Sequence, residues 1–408
     1  MLFRSLLGVL ADAAVLRREA ADDGDAQRRG RRLREKEAPI RRGGCAPALP
    51  VTVHYLKTRT MNGSTRYSEE LLAALQALGV DAKGHTPFYK EARIGRLRVG
   101  GMTSLRIGSA IPVRSKGVVH ATQYYYNPPF VPADVVTVHD VMPVARPDLY
   151  GLTPRRLGLH ARQVMRALRG SRVVTPTEAS KAEILKHFPN DADPDAVHVV
   201  PNGVDHATFR PDPGRHRAFR LGMLNVAVVA NRERRKRLDL LLEAAIAFPE
   251  CNVVHVGDPV AAKAHEPQAQ AAGTWAKMLA KQGRYVPLGQ VSDGELRRVL
   301  SQADVVVAPS VAEGFGLPPL EALACGARVL ASDIVPHREV LGDAARYVPL
   351  DARRMADELE ACWDGVMVRD GHFPDREARL AQAAKYTWER TAKGTLGVYT
   401  MVEGKVVD

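Results

Sequence analysis

Residues 305–345 read VVVAPSVAEGFGLPPLEALACGARVLASDIVPHREVLGDAA, and no other stretch limits the fold as tightly. An apolar run, Val305 to Ala308, passes into a loop carrying Glu313 with Gly314 and Gly316. Pro318 and Pro319 then open a helix, since proline is tolerated where a helix's first N–H groups lack partners anyway. That helix carries Glu321 in its expected first turn and stops at Cys325-Gly326, and a second apolar strand, Arg328 to Ala331, follows at once. Strand, loop, helix and strand in this order are a βαβ crossover of a parallel sheet.

Ligands of such units sit at the carboxyl ends of the strands, where helix N–H groups favour an anion. Two carboxylates at an anion site repel phosphate, but they can accept hydrogen bonds from hydroxyls beside it. A ligand with both polyhydroxyl and diphosphate parts, a nucleotide sugar, satisfies both conditions. The plain alternative is a core βαβ unit whose glutamates are merely solvated. The spacing of Glu313 and Glu321 within EGFGLPPLEALACG resembles the paired-glutamate motif of the retaining, nucleotide-sugar-dependent glycosyltransferases of family four, which have the two-domain GT-B fold.

With 408 residues the chain is long enough for two or three domains. It holds no run of eighteen apolar residues, so a spanning helix is not expected. Its four cysteines, Cys45, Cys251, Cys325 and Cys362, lie far apart without metal-ligand spacing, as in a reducing compartment such as the cytoplasm. The net charge is +12, and the run from Arg28 to Arg42 holds eight basic residues against two acidic ones. Ahead of it, MLFRSLLGVLADAAVL can form a short amphipathic helix. Residues 1–47 therefore read either as a peripheral contact with the anionic inner face of the plasma membrane or as a disordered extension. Asp12 interrupts the apolar run and argues against a secretory signal.

The folded part opens with the strand VTVHYL near Val51, and Gly63 lies just before an amphipathic helix with Leu71, Leu72, Leu75 and Leu78 at helical spacing. DVVTVHD gives a buried strand ending in His139 and Asp140, and residues 154–168 give an arginine-rich helix. Thr177 or Ser180 caps the next helix. The second half starts with LNVAVVANRERRKRLDLLLEAAIAF, in which five of the seven residues between strand and helix, 231–237, are basic. Cations at a helix N-terminus oppose its dipole, so an anion is expected there. Ser292 and Glu295 read as a capping box. AQAAKYTWERTAKGTLGVYTMV reads as one terminal helix.

The resemblance covers residues 50–400. It implies α/β architecture of the GT-B type: a basic extension, 1–47; two Rossmann-like domains facing a central cleft, 48–215 for the acceptor and 216–384 for the donor; and a terminal helix, 385–408, packing back on the first. It also implies roles. Glu321 accepts bonds from ribose hydroxyls, Glu313 contacts the transferred sugar with the N–H groups of Gly314, Phe315 and Gly316, and Leu317 belongs to the donor site. His139 approaches the sugar, as TVHDVMPVARPDLY resembles the mannosyltransferase-like branch. Lys236 matches the family's diphosphate lysine, Asn231 stands at its arginine position, and Arg232 or Arg235 is a substitute. Gly63 borders the diphosphate and Val291 the base.

The implied reaction is metal-independent, front-face transfer of a hexose, GDP-mannose favoured, to a glycan or lipid-linked acceptor of the kind used in polysaccharide biosynthesis. No metal, cofactor or nucleic-acid partner is expected. The competing readings are a non-catalytic protein binding RNA or anionic membrane, and a GT-B sugar-nucleotide epimerase. A phosphorylase would need a lysine-held pyridoxal phosphate, for which there is no motif.

Overall fold

The computed structural model describes residues 50–54, 63–85, 92–94, 97–99, 117–126, 133–214, 216–231, 233–258, 267–368 and 373–403. The amphipathic and basic segments of residues 1–47, Cys45 and Arg232 lie outside them. Two parallel sheets dominate. The first is built from β1 (Pro50–His54), β2 (Asp81–His85), β5 (Val118–Ala121), β6 (Val135–Thr137), β7 (Arg172–Thr175) and β8 (Val197–Val199), in the order β2-β1-β5-β6-β7-β8. A small antiparallel pair, β3 (Ala92–Ile94) and β4 (Leu97–Val99), stands apart from it.

The second sheet contains β9 (Leu224–Val229), β10 (Cys251–Val256), β11 (Tyr285–Gly289), β12 (Val305–Ala308), β13 (Val329–Ser332) and β14 (Arg346–Val348), ordered β11-β10-β9-β12-β13-β14. Every pairing within both sheets is parallel. That explains the near-continuous apolar runs: strands covered by helices on both faces have no solvent side to alternate towards. All four residues of β12 and all six of β10 are buried. The architecture is α/β and GT-B.

Strand order locates the ligand crevice. In a doubly wound sheet it opens where the order reverses, outside the strands' carboxyl ends. In the second sheet the reversal falls between β9 and β12, whose next loops carry residues 230–237 and 309–316. In the first it falls between β1 and β5, leading towards Gly63 and Gln123.

One expected element is divided. The terminal helix is two helices, α11 (Arg376–Ala384) and α12 (Trp388–Glu403). Between them Thr387 forms a parallel bridge with Val204, and the Tyr386 carbonyl accepts from the Val204 N–H at 3.2 Å and lies 3.0 Å from His206 Nε2. These bonds to the connector between the sheets replace a helical turn. Beyond the break, α12 carries Trp388, Ala392, Val398 and Tyr399 into the first sheet's core, against Tyr67, Leu71 and Leu75 of α1 (Gly63–Ala77). His120 of β5 meets the Tyr399 hydroxyl at 2.7 Å inside it.

Gly203 sits at this crossing, and a Cβ there would lie 2.2 Å from the Trp388 nitrogen and 2.5 Å from the Thr387 carbonyl carbon. Neither backbone atom can rotate away. Gly203→Ala should therefore cost about 1–3 kcal/mol of stability, the range for forced overpacking, read as a lower urea midpoint. An unchanged midpoint would mean that the two segments do not touch.

Candidate functional site

The two sheets face a cleft of about 890 Å³, lined from the first half by Gly63, Arg66, Tyr124, His139 and Asp140, and from the second by Asn231, Arg235, Lys236, Val291, Glu313 and Glu321. Gly314, Phe315, Gly316 and Leu317 line it too. Apart from Arg232, every residue given a catalytic or donor-binding role above thus borders one space, although they come from segments far apart in the sequence.

Glu313 lies at its centre. The short 3-10 turn Arg234–Lys236 after β9 presents Arg235 and Lys236, whose Nη1 and Nζ donate to the two oxygens of the Glu313 carboxylate, each at 2.6 Å. Burial alone would push this carboxyl up, but Arg235 and Lys236, with His337 behind them, hold it well below the usual carboxylate range. Burial likewise works against the Arg235 charge, and Glu313 and Glu233 outweigh it. The anion expected at the basic loop is therefore part of the protein: Glu313 and Glu233 take Arg235, and Asp239, in the first turn of α5 (Leu238–Ala247), takes Arg237. Asn231, exposed on the same loop, bonds Glu233.

The helix after Glu313, α8 (Leu317–Ala324), begins one residue earlier than the prolines suggested, with Gly316 at the N-cap at φ +90°, a conformation that favours glycine. Pro318 and Pro319 have no N–H, and Leu320 donates to the Gly316 carbonyl at 3.4 Å. The helix itself thus offers an anion little beyond the Leu317 N–H, and side-chain cations must supply most of the positive field. Glu321 falls in the second turn, not the first. There it is buried and paired with Arg66 of α1, which also grips Asp293 at the start of α7 (Asp293–Gln302). Burial, reinforced by Asp293 and Glu70, outweighs Arg66 and pushes the Glu321 carboxyl up to about 7.

The first half contributes His139. His139 is half-buried, its Nε2 is covered and has no hydrogen-bond partner, and its ring meets that of Tyr67 in a T-shaped contact with centroids 4.7 Å apart. Burial lowers its pKa to about 4, against the pull of a bond to the Thr122 backbone. The neutral ring can accept from a hydroxyl. Asp140 accepts from the Met142 N–H at 3.0 Å, a local turn, and faces Arg235.

Gly314 joins the halves. A Cβ there would lie 2.4 Å from the His139 carbonyl oxygen. The Thr177 and Ser180 hydroxyls, at the start of α4 (Glu178–His187), reach the Gly314 carbonyl at 2.8 and 3.0 Å. Thr177 is the cap of that helix, accepting from the Ser180 N–H at 3.0 Å. Glu339 accepts from the next two N–H groups, of Glu178 and Ala179. Gly63 is the first residue of α1 rather than preceding it. Ser292 caps α7, but the Glu295 carboxylate lies 3.4 Å from His216 instead of closing the box. Phe315 is buried against Tyr386, and Val291, which lines the cleft, packs on the core.

Arg66, Asp293 and Asp140 were not assigned roles from sequence. Arg66 had one signal, its position three residues after Gly63 at the head of α1. Asp140 had its place beside His139 at a strand end, and Asp293 becomes visible only when the sheets face each other. Among the described residues no group of three His, Cys, Asp or Glu side chains is placed to hold a metal ion, and no helix is long and apolar enough to cross a membrane. Cys251, Cys325 and Cys362 are buried and unpaired.

The Glu321 shift has a stability consequence with a definite sign. Its folded pKa, about 7, exceeds the ordinary 4.5, so the folded state holds the proton more tightly. The stabilisation is complete below 4.5 and is lost as pH rises through 7. Wild type should therefore lose stability relative to Glu321→Gln across that window in denaturation at a series of pH values; parallel profiles would contradict the buried placement.

Comparison with known proteins agrees with this geometry. The model of the glycosyl transferases group 1 matches residues 219–361, and that of glycosyltransferase family 4 matches residues 61–208. The chain is 32% identical over 252 residues to the D-inositol 3-phosphate glycosyltransferase of Frankia alni, covering 56% of this chain and 58% of that protein. It is 33% identical over 218 residues to the phosphatidyl-myo-inositol mannosyltransferase of Mycolicibacterium smegmatis, covering 52% and 53%. It thus spans somewhat over half the length of these curated relatives. Among solved structures, sucrose-phosphate synthase from Thermosynechococcus elongatus superposes with a TM-score of 0.70 at 17% identity, covering 88% of this chain and all of that one, a likeness of fold. The chain belongs to the group 1 glycosyltransferases, and its architecture is GT-B.

Proposed function

We propose that this protein is a retaining glycosyltransferase that moves a hexose from a nucleoside diphosphate sugar to a hydroxyl of a glycan or lipid-linked acceptor. The observation that carries the reading is the Glu313 carboxylate shared by Arg235 and Lys236 at the reversal point of the second sheet, across the cleft from the bare Nε2 of His139. Cations for a diphosphate and acceptors for sugar hydroxyls are thereby set side by side. GDP-mannose is the donor the reading takes first. The segment around His139 and the relationship to a mannosyltransferase support it.

In the proposed step the acceptor oxygen forms a bond to the anomeric carbon while the bond from that carbon to the diphosphate oxygen breaks. The acceptor's proton passes to the departing phosphate oxygen, on the same face, so configuration is retained. Arg235 and Lys236 stabilise the charge that develops on the leaving diphosphate, a role a divalent metal fills elsewhere, and the reaction is proposed to be metal-independent. Glu313 and His139 hold hydroxyls of the transferred sugar. Catalysis then rests on position and charge rather than on an enzymic nucleophile.

Incubation with GDP-, UDP- and ADP-sugars without acceptor, followed by NMR, should show slow release of sugar with the donor's anomeric configuration. Inversion would refute the retaining mechanism, and no release from any donor would favour a non-catalytic role. Glu313→Gln should lower transfer by about a hundredfold or more while nucleoside diphosphate binding holds or tightens, because a carboxylate is removed from beside two cations. Equal loss of transfer and binding would mean that Glu313 serves structure alone.

A further inference from the structure

Charge balance in the cleft raises a question that the donor reading leaves open. Arg235 and Lys236 are matched by Glu313 and Glu233, so that cluster carries no surplus positive charge. The remaining arginine lining the cleft among the described residues is Arg66. Its guanidinium lies between Glu321 and Asp293, 5.2 Å from the centre of the Phe209 ring, and its side chain is 15% exposed. The lining holds three cations, Arg66, Arg235 and Lys236, against six carboxylates, those of Asp140, Glu233, Asp258, Asp293, Glu313 and Glu321, so an entering diphosphate meets more negative than positive side chains. One cation has to be released for it.

Ribose hydroxyls provide the means. A hydroxyl pair donates to a carboxylate as a guanidinium does, so Glu321 can exchange Arg66 for a ribose without losing its hydrogen bonds. Arg66 is long, unbranched and bound only through its tip, and it shares α1 with Gly63 and pairs with Asp293, two residues beyond Val291, all of them lining the cleft. We propose that Arg66 is a diphosphate-binding cation, stored on Glu321 and Asp293 until the ribose of the nucleotide sugar displaces it. Nucleoside recognition and diphosphate recognition are then coupled through one side chain, and a ligand with phosphate but no ribose leaves Arg66 where it is. This rests on the nucleotide-sugar reading of the cleft.

The test is calorimetric affinity of GDP, UDP and ADP, and of guanosine, uridine and adenosine, for wild type, Arg66→Ala and Glu321→Gln. The ratio of nucleoside to nucleoside diphosphate dissociation constants measures what the diphosphate adds. In Arg66→Ala that ratio should fall about tenfold or more, the effect of losing charge-assisted bonds, while the nucleoside binds as well as before or better. In Glu321→Gln the nucleoside should weaken and the ratio should hold or rise, since Arg66 is set free. If Arg66→Ala does not fold, Arg66→Gln, which keeps a hydrogen bond to Glu321, makes the same comparison. An unchanged ratio in the Arg66 variant, or a collapsed ratio in Glu321→Gln, overturns the proposal and leaves Arg66 as a clamp between the halves. Wild type binding none of the three diphosphates sinks the donor reading itself.

Discussion

Between β12 and α8 the chain buries a carboxylate, and two cations from a different loop meet it there. Glu313 could not stay ionised in that place by itself, since removing a carboxylate from water costs several kcal/mol. Arg235 and Lys236 offset the cost only because the 3-10 turn aims both at it, and the same turn is tied by its Arg235 carbonyl to the Val311 N–H at 2.7 Å. The loops after β9 and β12 therefore fix each other. They are also the two loops flanking the strand-order reversal, so the crevice that parallel topology opens is closed into a defined shape by one ion cluster.

Contact between the halves depends on residues without side chains. Gly314 brings the Glu313 loop onto the His139 carbonyl, and Gly203 lets the connector between the sheets cross the Thr387–Trp388 backbone. The hydroxyls of Thr177 and Ser180, the carboxylate of Glu339 and the ion pairs of Arg66 add polar bonds along the same seam. These contacts hold the Glu313 loop against the strand end that carries His139.

Much of the fold was legible because parallel strands and their helices leave separate marks. Val305 to Ala308 is a strand with the expected bounds, and Thr177 and Ser292 cap where capping chemistry placed them. Errors arose where a distant segment decides local structure. The helix expected across residues 385–387 breaks because Val204 and His206 take its backbone groups, and Glu295 turns from its capping box to His216. The site was legible in part for the same reason. Glu313 and Lys236 stand out in their loops, but that Glu313 is the anion of the basic loop, and that Glu321 is held by Arg66, are relations across 77 and 255 residues. No local pattern records them.

The central claim is that this cleft binds a nucleoside diphosphate through that cluster. The most direct measurement is the thermal stability of the purified protein with GDP, UDP and ADP, each set against its monophosphate. One diphosphate at a hundred times its dissociation constant should stabilise the fold by about 2.7 kcal/mol, and its monophosphate by less at the same concentration. Equal shifts for both, or no shift with any diphosphate, would contradict the account.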